Sequence, residues 1–176
     1  MVTPVTDQNP HPQTMEQQRA RIQRELIAAP QNAELRKTLM ELCTVDAIRQ
    51  AGRRGVFIGY SRSDELFAID LAADLRTKGV DVWMDMIDVS YDEDGDWGTE
   101  IMNALSRSGL MLLVVSEEAL KDRELQRERD HFVQNGKIVL PVMYESGNYD
   151  LRAYLPALDL RYYERGLQTL VRLFAR

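Results

Sequence analysis

The sequence predicts an α/β domain: a five-stranded parallel sheet flanked by helices. Three observations predict it. From residue 53 onward, short runs rich in β-formers alternate with longer amphipathic runs. The run Leu110-Met111-Leu112-Leu113-Val114-Val115 is continuously apolar, as expected of a central parallel strand covered on both faces. Gly79 and Asn135-Gly136 stand where a helix should stop before the next strand begins.

The totals are compatible with that class. A chain of 176 residues suits one domain of ordinary size plus an appendage, and 44% apolar with 28% charged residues is an ordinary globular balance. A net charge of −6 without a basic stripe argues against nucleic acid as a partner. One cysteine, Cys43, excludes an intrachain disulfide and a multi-cysteine metal site, and its apolar helical context reads as a buried structural thiol. No apolar run approaches the roughly 18 residues of a membrane span, and the N-terminus lacks signal-peptide character. A cytoplasmic location and no membrane partner are expected.

Residues 1–14, with Pro4, Pro10 and Pro12, read as a disordered leader. A helical hairpin is expected over 15–52. Its first helix, 15–28, carries Ile22, Leu26 and Ile27 and ends before Pro30. Its second, 33–50, carries the stripe Leu35, Leu39, Leu42, Val45 and Ile48, with Gly52 as its stop. The hairpin reads either as an extension packed on the main domain or as a docking element. The main domain, 53–176, opens with a strand at 55–60. A helix at 64–78 follows, with Leu66, Phe67, Ile69, Leu71, Ala72 and Leu75 turned inward; Ser61 and Ser63 are its candidate caps. A strand at 80–85 alternates Val80, Val82 and Met84 with Asp81, Trp83 and Asp85, the pattern of an edge position. An acidic loop, 86–96, leads to a helix from Trp97 that carries Ile101, Met102, Ala104 and Leu105. After the central strand, Ser116 and Glu117-Glu118 open a helix expected to run to Gln134. Pro141 removes one ladder donor from the strand at 137–143 and places it away from the centre. A short strand at 158–162 and a helix at 167–174 complete the chain.

Parallel strands with right-handed crossovers and this count fit a flavodoxin-like order, 2-1-3-4-5. The direction of winding changes between strands one and three. A ligand crevice is therefore expected at their carboxyl ends, where Gly59, Tyr60, Ser61, Arg62 and Ser116 stand. Gly59 would permit close approach of a ligand or another backbone.

Five collinear segments carry a family resemblance. Val56-Phe57-Ile58-Gly59-Tyr60-Ser61-Arg62-Ser63-Asp64 resembles the opening motif of a TIR (Toll/interleukin-1 receptor) domain. Gly79-Val80-Asp81-Val82-Trp83-Met84-Asp85 is similar to that family's second strand, and Asp94-Gly95-Asp96-Trp97 with Ile101 and Leu105 to the end of its BB loop and the next helix. Leu112-Leu113-Val114-Val115-Ser116 and Gly136-Lys137-Ile138-Val139-Leu140-Pro141-Val142 resemble its third and fourth strands. The resemblance covers about residues 54–176 and implies the same flavodoxin-like fold.

The resemblance also implies chemistry. Many bacterial TIR domains cleave NAD with one glutamate on the third helix, eight residues before the Gly-Lys of the fourth strand; that position here is Glu128. Taken alone, Glu124, Arg127, Glu128, Arg129 and Asp130 form a charge run that by default is a solvated face. The segment Leu125-Gln126-Arg127 departs from the aromatic or cysteine often found before this glutamate in the family. One carboxylate suffices for the reaction: nicotinamide leaves without needing a proton, and a carboxylate can stabilise an oxocarbenium-like ribose. Arg62 could meet the pyrophosphate or be a surface arginine beside Asp64 and Glu65. Trp83 could stack on a ring of NAD or pack beneath the loop; for Trp97 packing is favoured. Tyr60 is open in the same way, and Asp85 could contact ribose or hold the loop.

NAD is expected as substrate, with no cofactor and no metal. The acidic residues at 88–96 do not follow EF-hand ligand spacing. His11 and His131 have no Ser or Cys partner at a recognisable triad spacing. The resemblance implies that the acidic loop joins neighbouring TIR domains into a homo-oligomer or filament that completes the active site. It points to an NAD glycohydrolase, with cyclase activity as an additional capacity, in bacterial immune, antiphage or cell-death signalling. The alternatives are a non-enzymatic TIR adapter and a nucleoside deoxyribosyltransferase-like enzyme of related fold.

Overall fold

The computed structural model describes residues 13–88 and 97–175; the side chains of Met86 and Trp97 lie outside that description, as do the expected leader up to residue 12 and the acidic stretch 89–96. Five parallel strands form one sheet: β1 (Val56–Gly59), β2 (Val82–Trp83), β3 (Leu110–Val115), β4 (Ile138–Met143) and β5 (Leu158–Asp159), in the order β2-β1-β3-β4-β5. This is the flavodoxin-like order expected from the alternation. Strand β3 is central and entirely buried, paired with β1 from Val56↔Leu110 to Gly59↔Leu113 and with β4 from Leu110↔Ile138 to Val115↔Met143. The edge strands are shorter than the sequence pattern implies. β2 keeps only Val82 and Trp83, and β5 pairs only with Val142 and Met143, beyond Pro141.

Alternation along the strands sorts side chains to two cores. Val56, Ile58, Leu110, Leu112, Val114, Ile138, Leu140 and Val142 face α4 (Glu65–Thr77) and α9 (Tyr163–Phe174). Phe57, Met111, Leu113 and Val139 face α6 (Trp97–Arg107) and α8 (Arg123–Gln134). Each fully buried Leu or Phe in these layers contributes about 1.5–3 kcal/mol of transfer free energy.

The N-terminal segment is three helices, not two: α1 (Met15–Ala28), α2 (Ala33–Leu42) and α3 (Val45–Arg53). The expected second helix breaks at Cys43-Thr44 because the Thr44 hydroxyl accepts from the Ala47 N–H at 3.2 Å and starts a new helix. Val45 therefore leaves the apolar stripe and is exposed. Ile22, Leu26, Leu39, Cys43 and Ala51 are buried in the same core as β1, β3 and β4. Arg19, itself buried, donates from Nε to the Gly136 carbonyl at 2.8 Å, tying α1 to the turn between α8 and β4. Gly136 has φ of +64°, and a Cβ there would lie 2.0 Å from the Glu16 carbonyl oxygen, so the close approach requires glycine.

Two further elements differ from expectation. Helix α4 begins at Glu65 after a 3₁₀ turn (Arg62–Asp64), and Leu66 points to solvent at 80% exposure. The helical period puts it half a turn out of phase with Leu75 and the buried Ala68, Leu71 and Ala72. The helix expected over 117–134 is two: α7 (Glu117–Lys121) and α8, separated by Asp122. The Asp122 carboxylate accepts from the backbone N–H of Glu124 at 2.9 Å and of Leu125 at 3.1 Å, a local cap that outcompetes helix continuation. The last helix also starts earlier than expected, at Tyr163.

Candidate active site

Two carboxyl groups mark the carboxyl edge of the sheet. The first is Asp64, at the end of the 3₁₀ turn and 3% exposed. Its Oδ2 accepts from Ser61 Oγ at 2.7 Å and Ser116 Oγ at 2.6 Å, and its Oδ1 accepts from the Tyr144 hydroxyl at 2.6 Å. Burial, and then this hydrogen bond, hold the Tyr144 phenol above its usual range. The Tyr144 ring stacks on Phe67 with centroids 4.1 Å apart. Ser61 thus spends its hydroxyl on Asp64 and makes no side-chain cap bond, contrary to the capping role expected for it. Ser116 does both: it also accepts from the Ala119 N–H at 3.0 Å and caps α7. The two serines expected to contact ligand belong to a buried hydroxyl–carboxylate knot joining the ends of β1, β3 and β4.

The second is Glu128 on α8. Leu125 and Phe132, buried against the sheet, lie three residues before and four after it, so Glu128 occupies the inward stripe of its helix. Its residue keeps some surface while the carboxyl group is largely surrounded by protein. Burial, followed by the negative charges of Asp85, Asp122 and Glu124, pushes this carboxyl up to about 8. Among the described residues it has no hydrogen bond or ion pair, and its oxygens are not sealed from solvent.

Asp85 reaches Glu128 electrostatically from the start of the short helix α5 (Asp85–Asp88), directly after β2, and it accepts a hydrogen bond from the Tyr60 hydroxyl. Asp88, at the other end of α5, binds the Arg76 guanidinium and accepts from the Met84 N–H at 2.8 Å. Tyr60 is therefore bonded to Asp85, and Asp85 in turn acts on the charge of Glu128. The Trp83 ring stacks on Phe57 at 5.1 Å and 19° and packs on the α8 face of the sheet, with Leu125 and Phe132 in the same cluster. Gly59 has side chains rather than open space before it, since a Cβ there would lie 2.5 Å from Met111 Cε and 2.8 Å from Leu125 Cδ1. Arg62 is exposed and, among the described residues, forms no salt bridge. Trp97 opens α6, with its side chain outside the description. Among the described residues no group of three or more His, Cys, Asp or Glu is arranged to hold a metal ion, and no helix is long and apolar enough to cross a membrane.

A family model described as "TIR domain" matches residues 56–171. The chain belongs to the TIR domain family. Its fold is also similar to a solved structure, the TIR domain of the Toll-related receptor TRR-2 from Hydra magnipapillata, with a TM-score of 0.53 and 19% identity; the match covers 66% of this chain and 97% of that one. No curated protein matches the chain. The part of the chain outside the family match includes α1, α2 and α3, which pack on the TIR core through Leu26, Leu39 and Ala51.

The Asp64 knot is not evident in the sequence, although Ser61 and Ser116 follow predicted strands and Asp64 opens the predicted helix between them. Tyr144, directly after the fourth strand, was the available signal. For Glu128 the signal was its spacing from Leu125 and Phe132, which the surrounding charges obscured.

Proposed function

We propose that this TIR domain is an NAD glycohydrolase, with Glu128 as its catalytic residue. One observation supports this above the others: Glu128 is a partly buried, unpaired carboxyl at the carboxyl edge of a parallel sheet, pushed up to about 8. Such a group has proton-exchange capacity near neutral pH and no structural partner to lose. The positively charged nicotinamide ring of NAD would offset the repulsion among Glu128, Asp85 and Asp122 and draw Glu128 towards its ionised form. The nicotinamide–ribose C–N bond then breaks, its electron pair leaving with neutral nicotinamide. The Glu128 carboxylate stabilises the cationic ribose, water adds at the anomeric carbon, and its proton passes to Glu128 or solvent. Tyr60 and Asp85 would hold the ribose side, and the exposed Arg62 the pyrophosphate.

Activity is proposed to depend on self-association of TIR domains. The test incubates the chain with NAD at rising protein concentration, follows nicotinamide release, and resolves ADP-ribose, cyclic and base-exchange products. Release that Glu128→Gln abolishes is expected. Absent turnover by the associated wild type, or turnover undiminished in Glu128→Gln, refutes the proposal. The second reading, a non-enzymatic adapter, is favoured by Leu66, a large apolar side chain 80% exposed beside Arg62. Association that Leu66→Lys abolishes, without NAD turnover at any concentration, would select it.

A further inference from the structure

We infer that the groove between α2 and the segment preceding β5 is a binding site for a small anion with a flat apolar body, such as an aryl or nucleoside phosphate. The groove has a volume of about 760 Å³ and lies outside the candidate active site. Met40, Leu151, Tyr154 and Pro156 give it apolar walls, and its charged lining is Arg36, Lys37 and Arg152 with one carboxylate, Glu41. Met40 is 54% exposed, a large apolar side chain left open on this wall.

Arg36 carries the inference. Its Nε is buried and has no hydrogen-bond partner, the one such side-chain atom among the described residues. The whole guanidinium makes no hydrogen bond among the described residues, so its outer nitrogens are the donors a ligand in the groove would meet, and an anionic oxygen is the acceptor that suits them best. Neither Arg36 nor Lys37 forms a salt bridge among the described residues. Arg152, which also lines the groove, is already held by Asp150 through contacts of 2.8 Å from both Nε and Nη2, and Asp150 also acts electrostatically on Arg36, which leaves Arg36 and Lys37 against one lining carboxylate, Glu41. The Tyr154 ring is fixed, because its hydroxyl accepts from Arg129 Nη1 at 2.7 Å. A fixed aromatic wall beside two cations that form no salt bridge among the described residues suits a planar body with an anionic head.

The test titrates the ¹⁵N-labelled full chain with phenyl phosphate and follows amide shifts. Saturable shifts at Arg36, Lys37, Met40 and Tyr154 are expected, with Kd of about 1 mM. Inorganic phosphate and benzyl alcohol, each carrying half of the recognition chemistry, should bind about tenfold more weakly. Arg36→Gln should weaken phenyl phosphate about tenfold, and Arg36→Lys less. If Arg36→Gln loses its dispersed spectrum, the exposed Lys37→Gln decides, with about threefold weakening expected. Glu128→Gln should bind as wild type does, which separates this site from the proposed NAD site. Shifts that stay linear to about 20 mM, that saturate equally in Arg36→Gln and Lys37→Gln, or that map to Arg62 and Glu128 instead overturn the inference.

Discussion

Asp64 and Glu128 stand at the same end of one sheet, on opposite faces, and have opposite surroundings. Asp64 lies on the α4 side with three hydroxyl donors, from Ser61, Ser116 and Tyr144. Glu128 lies on the α8 side with carboxylates for neighbours and no bonded partner among the described residues. Depth alone does not separate them, since Asp64 is the more buried of the two. What separates them is donor supply. A carboxylate given hydrogen bonds becomes part of the architecture, whereas a carboxyl left without them resists ionisation, a resistance that a cationic substrate can relieve.

The sharpest way to break the comparison is to remove each carboxylate. Glu128→Gln should lower nicotinamide release at least about 10²-fold and leave the fold intact, measured by product formation beside a thermal melt. Asp64→Ala should do the reverse. It removes the acceptor shared by the Ser61, Ser116 and Tyr144 hydroxyls and should lower unfolding free energy by about 3 kcal/mol, read from the denaturant midpoint. Should Asp64→Ala instead be neutral in stability, the knot is not structural.

Smaller effects sharpen it. The Glu128 carboxyl is raised in the folded chain, so folding favours its protonated form. Stability from this group is complete below the ordinary value of 4.5 and is lost as pH rises through about 8. Relative to wild type, Glu128→Gln should therefore gain stability progressively over that interval and level off above it, by thermal melts at each pH. The ionised form is the proposed catalyst, so kcat/KM should rise with pH and flatten near 8. Asp85→Asn, by removing one neighbouring charge, should move that inflection to lower pH. The smallest effect is expected of Tyr144→Phe: it removes one of Asp64's three donors, retains the Phe67 stack, and should cost about 1–2 kcal/mol.

Much of the fold was legible because its signals are local. The continuous apolarity of Leu110 to Val115 marked the central strand, and the polar alternation around Trp83 marked an edge. The misjudged boundaries, at Thr44 and Asp122, lie where one side chain caps a new helix inside an otherwise uninterrupted pattern. Leu66 is apolar yet exposed because it lies out of phase with the buried stripe of its helix. In the candidate site, Glu128, Asp85 and Tyr60 were all named from sequence, Glu128 through family resemblance rather than its own surroundings. Ser61, Ser116, Gly59 and Trp83 were also named, and their neighbours are Asp64, Met111 with Leu125, and Phe57.

The sequence by itself determined the parallel α/β class, the strand order, the family and the residues that could supply a carboxylate. These follow from periodicity, turn chemistry and chain order, which are properties of neighbours along the chain. Only the tertiary structure decided which carboxylate is satisfied and which is poised. Asp64 meets Tyr144 across 80 positions of chain, and Asp85, placed at the end of β2 by its pairing with β1, acts on Glu128 from a distant part of the sequence. Proton affinity depends on burial and on charges nearby in space. Sequence distance carries neither.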